Sequence, residues 1–402
     1  MIWKKKRIYA DAAAATPLSN EARLELVRLL DLFGNPGALH KEAVAAKNEL
    51  EKARALVASS IGAHADEIVF TSGGTEGNNL AIEGALRHRL SRTQKVHAVT
   101  SVIEHPSVLE PFLALKKEGL ELTKLRVNSA GLISLKELTE AITEHTVLVS
   151  IQFINSEIGT IEPIREIAKE IRAIRTIRAR RDHPSSESVV PLYLHVDASQ
   201  APLWKTVEVE KLGVDLLTLD GQKIMGPKGV GAIYIRRGVT IMAQHRGGGQ
   251  EKGIRSGTEN VPLAGSFAVA LADAQAKENE NAKRIAGVRN VLLQEILKRI
   301  PTATVNGAVG DQRVANNLNI SIPGLDGEMA VIALDALGVA ASTRSACDSS
   351  DEAPSHVLQA LHLPPDSIKS AIRLTLLPTV TKSDATYIAT RLLEVEKRYK
   401  IE

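Results

Sequence analysis

The stretch Glu67-Ile68-Val69-Phe70-Thr71-Ser72-Gly73-Gly74-Thr75-Glu76 decides the fold. Its first five residues have an apolar, β-branched and aromatic centre, which reads as a strand over 67–71. Two glycines follow, and a helical pattern runs over 75–89. Working outward, short apolar runs keep alternating with longer amphipathic ones. Strands are predicted over 96–100, 147–153, 193–197, 214–219 and 230–235, and helices over 106–118 and 163–181. Strands alternating with helices indicate an α/β protein whose mostly parallel sheet is flanked by helices on both faces. From 260 to about 300 the pattern is one long charged helix. A smaller α+β unit follows, with strands over 317–322 and 370–376 and helices over 327–337 and 382–400. The expected organisation is a large domain over 15–260 and a small C-terminal domain over 261–402, to which residues 1–14 also belong.

Composition narrows the function. The chain has 402 residues, 44% hydrophobic and 24% charged, as in ordinary globular proteins. Fifty basic residues against 47 acidic ones leave a net charge of +3, and aromatics are only 3%, so no nucleic-acid partner is expected. Apolar runs such as 330–341 fall short of the roughly 18 residues of a membrane span. The basic start, 1–7, lacks the apolar core of a signal peptide, which predicts a cytoplasmic protein. The arginines at 172, 175, 178, 180 and 181 read as a solvated helix end, and 182–188 as a surface loop. The single cysteine, Cys347, forms no internal disulfide and builds no cysteine-rich metal site, and no His-Glu-x-x-His pair occurs. No metal is expected, which leaves an organic cofactor, a lysine or the lone thiol as the source of chemistry.

Four motifs carry that chemistry. In Thr71 to Glu76, glycines at a strand-to-helix turn let backbone approach a ligand, and the helix start offers N–H groups to an anion. The same residues also suit a plain capped turn. Asp197 ends a predicted buried strand, either as a helix cap or as a carboxylate that holds a protonated ring nitrogen. Lys223 follows Asp220-Gly221-Gln222 just past another strand, where desolvation suits a Schiff-base lysine, although a surface lysine reads the same way. Cys347 lies in the polar run Ser345 to Asp351, as a reactive loop thiol or an inert buried one. Gly247-Gly248-Gly249-Gln250 and Arg255-Ser256-Gly257-Thr258-Glu259-Asn260 add polar groups beside glycines.

The order of these motifs resembles the class V, fold-type I family of pyridoxal-phosphate enzymes, and within it the cysteine desulfurases of the NifS and IscS type. Residues 9–17 look like the family's opening strand, and Thr71 to Asn79 like its phosphate turn. Glu104-His105-Pro106 matches its ring-stacking histidine, Asn155-Ser156-Glu157-Ile158-Gly159 its Asn-Asn-Glu-x-Gly, and Asp197 to Gln200 its Asp-x-x-Gln. Arg255 to Asn260 is close to verbatim, Ser345-Ala346-Cys347 looks like the sulfur-accepting loop, and Ala371-Ile372-Arg373 like the carboxylate-binding strand.

The resemblance implies pyridoxal 5'-phosphate on Lys223, and Asp197 at its ring nitrogen. It implies His105 on the ring face as a proton carrier, and Gln200 and Asn155 at the ring's oxygen edge. Gly74 and Thr75 would hold the phosphate, with Thr258 reaching it from a second subunit of a homodimer. Asn155 and Arg373 would bind the substrate. The implied reaction converts L-cysteine to L-alanine and leaves a persulfide on Cys347 for a sulfur-acceptor protein in iron–sulfur cluster or thio-cofactor synthesis. Rivals are a selenocysteine lyase, an aminotransferase or another class V enzyme, and a non-catalytic scaffold. The chain departs from the family at Asp220 and Gln222, where Ser-x-His is usual, and at Leu377-Pro378, where Gly-Arg is usual.

Overall fold

The computed structural model describes residues 6–91, 95–181, 190–343 and 354–400. The expected loop at 182–188 and Cys347 lie outside the described residues. Strands are β1 (Ile8–Tyr9), β2 (Ile68–Thr71), β3 (His97–Ser101), β4 (Glu121–Leu125), β5 (Thr146–Gln152), β6 (Tyr193–Asp197), β7 (Leu216–Asp220), β8 (Gly231–Ile235), β9 (Thr304–Val305), β10 (Asn317–Ser321), β11 (Val339–Ala340) and β12 (Ala371–Thr375). Among the described residues, seven strands form one sheet in the order β2-β8-β7-β6-β5-β3-β4. The pairs from β7 to β4 are parallel, and β8 runs antiparallel to both β2 and β7. The sequence reads as nearly unbroken apolar runs here because β2, β5, β7 and β8 are buried along their whole length.

The long helix is Val261–Arg299, capped by Asn260, whose side chain accepts from Leu263 N, with a proline in its first turn. It packs on helices Asn20–Leu29, Lys41–Ser60 and Lys382–Tyr399. A second sheet, β12-β10-β9, is antiparallel.

Two expectations change. The opening strand is short: Ile8–Tyr9 pairs with Val339–Ala340, and Asp11 adds one bridge to Thr375. Residues 10–16 then run irregularly between the two sheets, bonding to Thr375 O through Ala12 N and to Gln222 O through Thr16 N. The arginine cluster is not merely a solvated helix end. Arg178 is buried and donates to Thr146 O, while Arg175 donates to Leu192 O and pairs with Asp215. These arginines give donors to strand-edge carbonyls, and Arg175 adds to the bonds that Asp215 already accepts from Leu194 N and Arg236.

Candidate active site

In a sheet of this kind, ligands bind beyond the carboxyl ends of the strands. β5, β6 and β7 end at Gln152, Asp197 and Asp220, and all three line one cavity of about 270 Å³. Its wall also includes Gly74, Thr75, His105, Gln200, Lys223 and Arg373.

The glycine turn opens the helix Gly74–Leu90, and Gly73 at its N-cap offers no side-chain bond. A Cβ on Gly74 would lie 2.9 Å from Ser199 Oγ and 3.2 Å from Asp220 Oδ2, so any larger residue would have to displace those two side chains. Lys223 follows Asp220 through one 3-10 turn. Its Nζ donates to Ala13 O at 2.8 Å and Ala14 O at 2.6 Å, and Gln200 Nε2 also donates to Ala13 O.

One network crosses the cavity. Asp197 Oδ1 accepts from Ser199 N and Ser199 Oγ, at 3.0 and 2.6 Å. The Asn78 amide donates to Asp197 Oδ2 at 2.8 Å and to Ser107 Oγ at 2.9 Å. Ser107 Oγ lies 2.8 Å from His105 Nδ1, which also accepts from Ser107 N at 3.1 Å. A backbone N–H only donates, so Nδ1 carries the lone pair and Nε2 the proton of the neutral ring. Asn78 therefore ties the aspartate and the histidine into one frame. The sequence reading did not single out Asn78, Ser107 or Ser199; the position of Asn78 one helical turn past Gly74 was the available signal.

Arg373, on β12, is 1% exposed. Its guanidinium donates to Asp11 Oδ1 at 2.7 Å and Ser156 O at 3.3 Å. Asn155 does not take its expected place. Its Oδ1 accepts from Glu157 N and Ile158 N, its Nδ2 donates to Ile103 O, and Ser156 lines the cavity instead. The buried turn consumes the Asn155 amide, so the wall is built by its neighbour. Thr258 is exposed and is not part of this cavity wall.

Buried titratable groups underlie the site. His195 on β6 bonds Ser150 Oγ and Thr218 Oγ1, and burial drives its pKa down to about 4. Burial raises Glu104, next to His105, well above the usual carboxylate range, and pushes Glu162 up to about 8. Among the described residues no cluster of three or more His, Cys, Asp or Glu could hold a metal ion.

The cavity fits pyridoxal phosphate. It presents a lysine, a hydrogen-bonded carboxylate, an imidazole and a glycine-opened helix start on one wall system. Gly74, Thr75 and the turn's N–H groups would hold the phosphate, Asp197 the ring nitrogen and Lys223 the aldehyde carbon.

The Aminotransferase class-V family matches residues 8–388. A cysteine desulfurase IscS of Dictyoglomus turgidum is 40% identical, with 95% of this chain and 93% of the relative covered. One of Methanosarcina thermophila is 39% identical, over 98% and 91%. Among solved structures, a NifS-like protein superposes with a TM-score of 0.87 at 30% identity, over 98% of this chain and 100% of the other. SspA in complex with cysteine gives 0.78 at 31%, over 93% and 100%. The chain belongs to the class V aminotransferase family and, within it, to the pyridoxal-phosphate-dependent cysteine desulfurases.

Proposed function

We propose that this chain takes sulfur from L-cysteine through Lys223, His105 and Cys347, and passes it from Cys347 to an acceptor protein of iron–sulfur cluster or thio-cofactor synthesis. The observation that carries this reading is the single cavity that Lys223, Asp197, His105 and Arg373 line together. When bound there, pyridoxal phosphate draws the electron pair of the substrate's Cα–H bond into its ring.

The chain's own residues do the rest. Arg373 offers its guanidinium to the substrate carboxylate, a pairing suited to two parallel hydrogen bonds. Asp197, fixed by Asn78 and Ser199, keeps a proton at the ring nitrogen. Lys223 supplies the amine that carries the cofactor. His105, with its proton at Nε2, moves protons at the reacting carbon. The Cys347 thiolate forms a bond to the substrate sulfur as the substrate's Cβ–S bond breaks. The electron pair of that bond stays on carbon, which takes a proton and leaves as alanine.

A homodimer completes the proposed site, with Thr258 turned toward the neighbour's phosphate. The exposed side chains of Leu24, Val27, Leu30, Phe33 and Leu39 support a partner surface, since a monomer seldom leaves so many large apolar groups in water. We place the activity in the cytoplasm, where a sulfur-carrying thiol stays reduced. Among the described residues, no helix is long and apolar enough to cross a membrane.

The test is Cys347→Ser. The variant is expected to keep its yellow cofactor, attached to Lys223 as read by borohydride reduction and peptide mapping. It is expected to lose persulfide formation and acceptor-dependent sulfur transfer by at least about 10²-fold, because a covalent nucleophile is gone. Sulfur transfer at the wild-type rate would favour direct elimination of sulfide or selenide instead.

A further inference from the structure

The phosphate turn has an acid against it. Asp220 closes β7 and is 7% exposed. Its Oδ1 accepts from Gln222 N at 3.1 Å and its Oδ2 from Gln222 Nε2 at 3.2 Å. A Cβ built on Gly74 would be 3.2 Å from that Oδ2, so the carboxylate borders the first residue of the helix Gly74–Leu90. Asp220, Gly74 and Thr75 share the cavity wall. An anion seated on the turn therefore meets a fixed negative group at close range.

Two anions held that near repel unless one proton lies between them. A phosphate monoester can supply that proton, since its second ionisation falls near pH 6. Sulfate, fully ionised at neutral pH, has none to give. The neighbouring charges do not remove the need. Lys223 Nζ donates to Ala13 O and Ala14 O. Asp197 on β6 bonds Ser199 and Asn78, and adds negative charge. Glu76, on the same helix, is paired with Arg255 and lies 4.0 Å from His245, so both cations that border Ser72 and Thr75 already face a carboxylate. His105 stands across the cavity, with Nδ1 committed to Ser107.

We infer that Asp220 is a specificity-determining acceptor, which takes a hydrogen bond from a proton-bearing phosphate oxygen and so holds the cofactor phosphate as its monoanion. Above pH 6 the proton comes from solvent, about one per phosphate bound. This rests on the reading of residues 72–75 as the phosphate seat.

The experiment is phosphorus NMR of the full-length holoenzyme between pH 6 and 9. The wild-type resonance is expected at the position of a singly protonated phosphomonoester up to pH 8. Asp220→Ser and Asp220→Asn are expected to move it to the doubly ionised position. Asn keeps an oxygen for Gln222 N and places a donor where Oδ2 was, which the Gln222 amide meets by turning its oxygen toward it. On the full-length chain stripped of cofactor, inorganic phosphate is expected to raise the melting temperature at concentrations about 10-fold below sulfate, and in either variant the two are expected to differ by less than about 3-fold. A doubly ionised wild-type resonance at pH 7, unchanged by either substitution, overturns the inference and leaves the cofactor site standing. A full-length chain that takes up no pyridoxal phosphate overturns both.

Discussion

Asn78 shows what a single side chain does in this site. Its amide links Asp197 Oδ2 to the Ser107–His105 pair. Asn78→Ala leaves a half-buried carboxylate oxygen and a buried hydroxyl each short of a donor, a cost of about 1–3 kcal/mol. Spent on misplacing the ring partners, that lowers kcat about 10- to 100-fold with KM little changed. Steady-state kinetics beside the cofactor absorbance checks this, and a wild-type kcat would refute the bridging role. His195 makes a second prediction, in stability. Its folded pKa of about 4 lies below the ~6.5 of an unfolded histidine. Between these values the unfolded chain binds a proton that the folded chain refuses, so stability falls as pH drops from about 6.5 toward 4. The loss reaches about 2 kcal/mol by pH 5. Urea midpoints at pH 7 and pH 5 should differ less in His195→Gln than in the wild type. At this scale the sequence was readable where a motif names a residue type, as for Lys223 and Asp197. It was not readable where two adjacent polar residues compete for one position. Whether Asn155 or Ser156 faces the cavity depends on the backbone dihedrals of a buried turn, which composition does not encode.

At the scale of elements, buried strands announced themselves. β5 and β7 are apolar without alternation, and both lie inside the expected runs or within a residue or two of them. The helices Asn20–Leu29 and Lys41–Ser60 gave no comparable signal. The first exposes Leu24 and Val27, and the second buries mainly alanines, so neither shows a clean apolar stripe. The antiparallel placement of β8 between β2 and β7 was also unreadable, because Val69 pairs with Ile233, far along the chain. That placement has a steric condition. A Cβ on Gly231 would lie 2.4 Å from Leu219 O and 2.9 Å from Gly73 Cα. Gly231→Ala must push β8 away from the phosphate turn, at a cost of about 1–3 kcal/mol for overpacking. Thermal unfolding should show the loss, and equilibrium dialysis should show weaker cofactor retention than in the wild type. Unchanged retention would mean that the turn's position does not depend on β8.

Across the whole molecule, residues 10–16 join what the two sheets do separately. Asp11 pairs with Arg373 of β12, Ala13 and Ala14 accept from Lys223, and Thr16 bonds Gln222 O. The substrate arginine and the cofactor lysine are thus held by one short segment. Asp11→Asn keeps an acceptor but removes the charge beside a buried guanidinium, and is expected to cost about 1–3 kcal/mol in urea unfolding. Asp335→Asn, at the exposed pair with Arg7, is the control, expected to cost under about 1 kcal/mol. Equal losses at the two positions would mean that burial of the Arg373 pair adds nothing.

That short segment also sets a clock. Ala13 N donates to Thr375 Oγ1 and Arg373 to Asp11, contacts that span 362 positions of the chain. A ribosome that adds about 5–20 residues each second needs roughly 20–70 s to make the later partner after the earlier one. Once β8 has been made, and until that interval ends, the sheet carrying Lys223 can form while the carbonyls of Ala13 and Ala14 have no β12 to brace them. The pocket reaches its final shape only when translation is nearly over, so the newborn protein meets its cofactor as a finished chain, and a nascent chain stalled before β12 should emerge colourless.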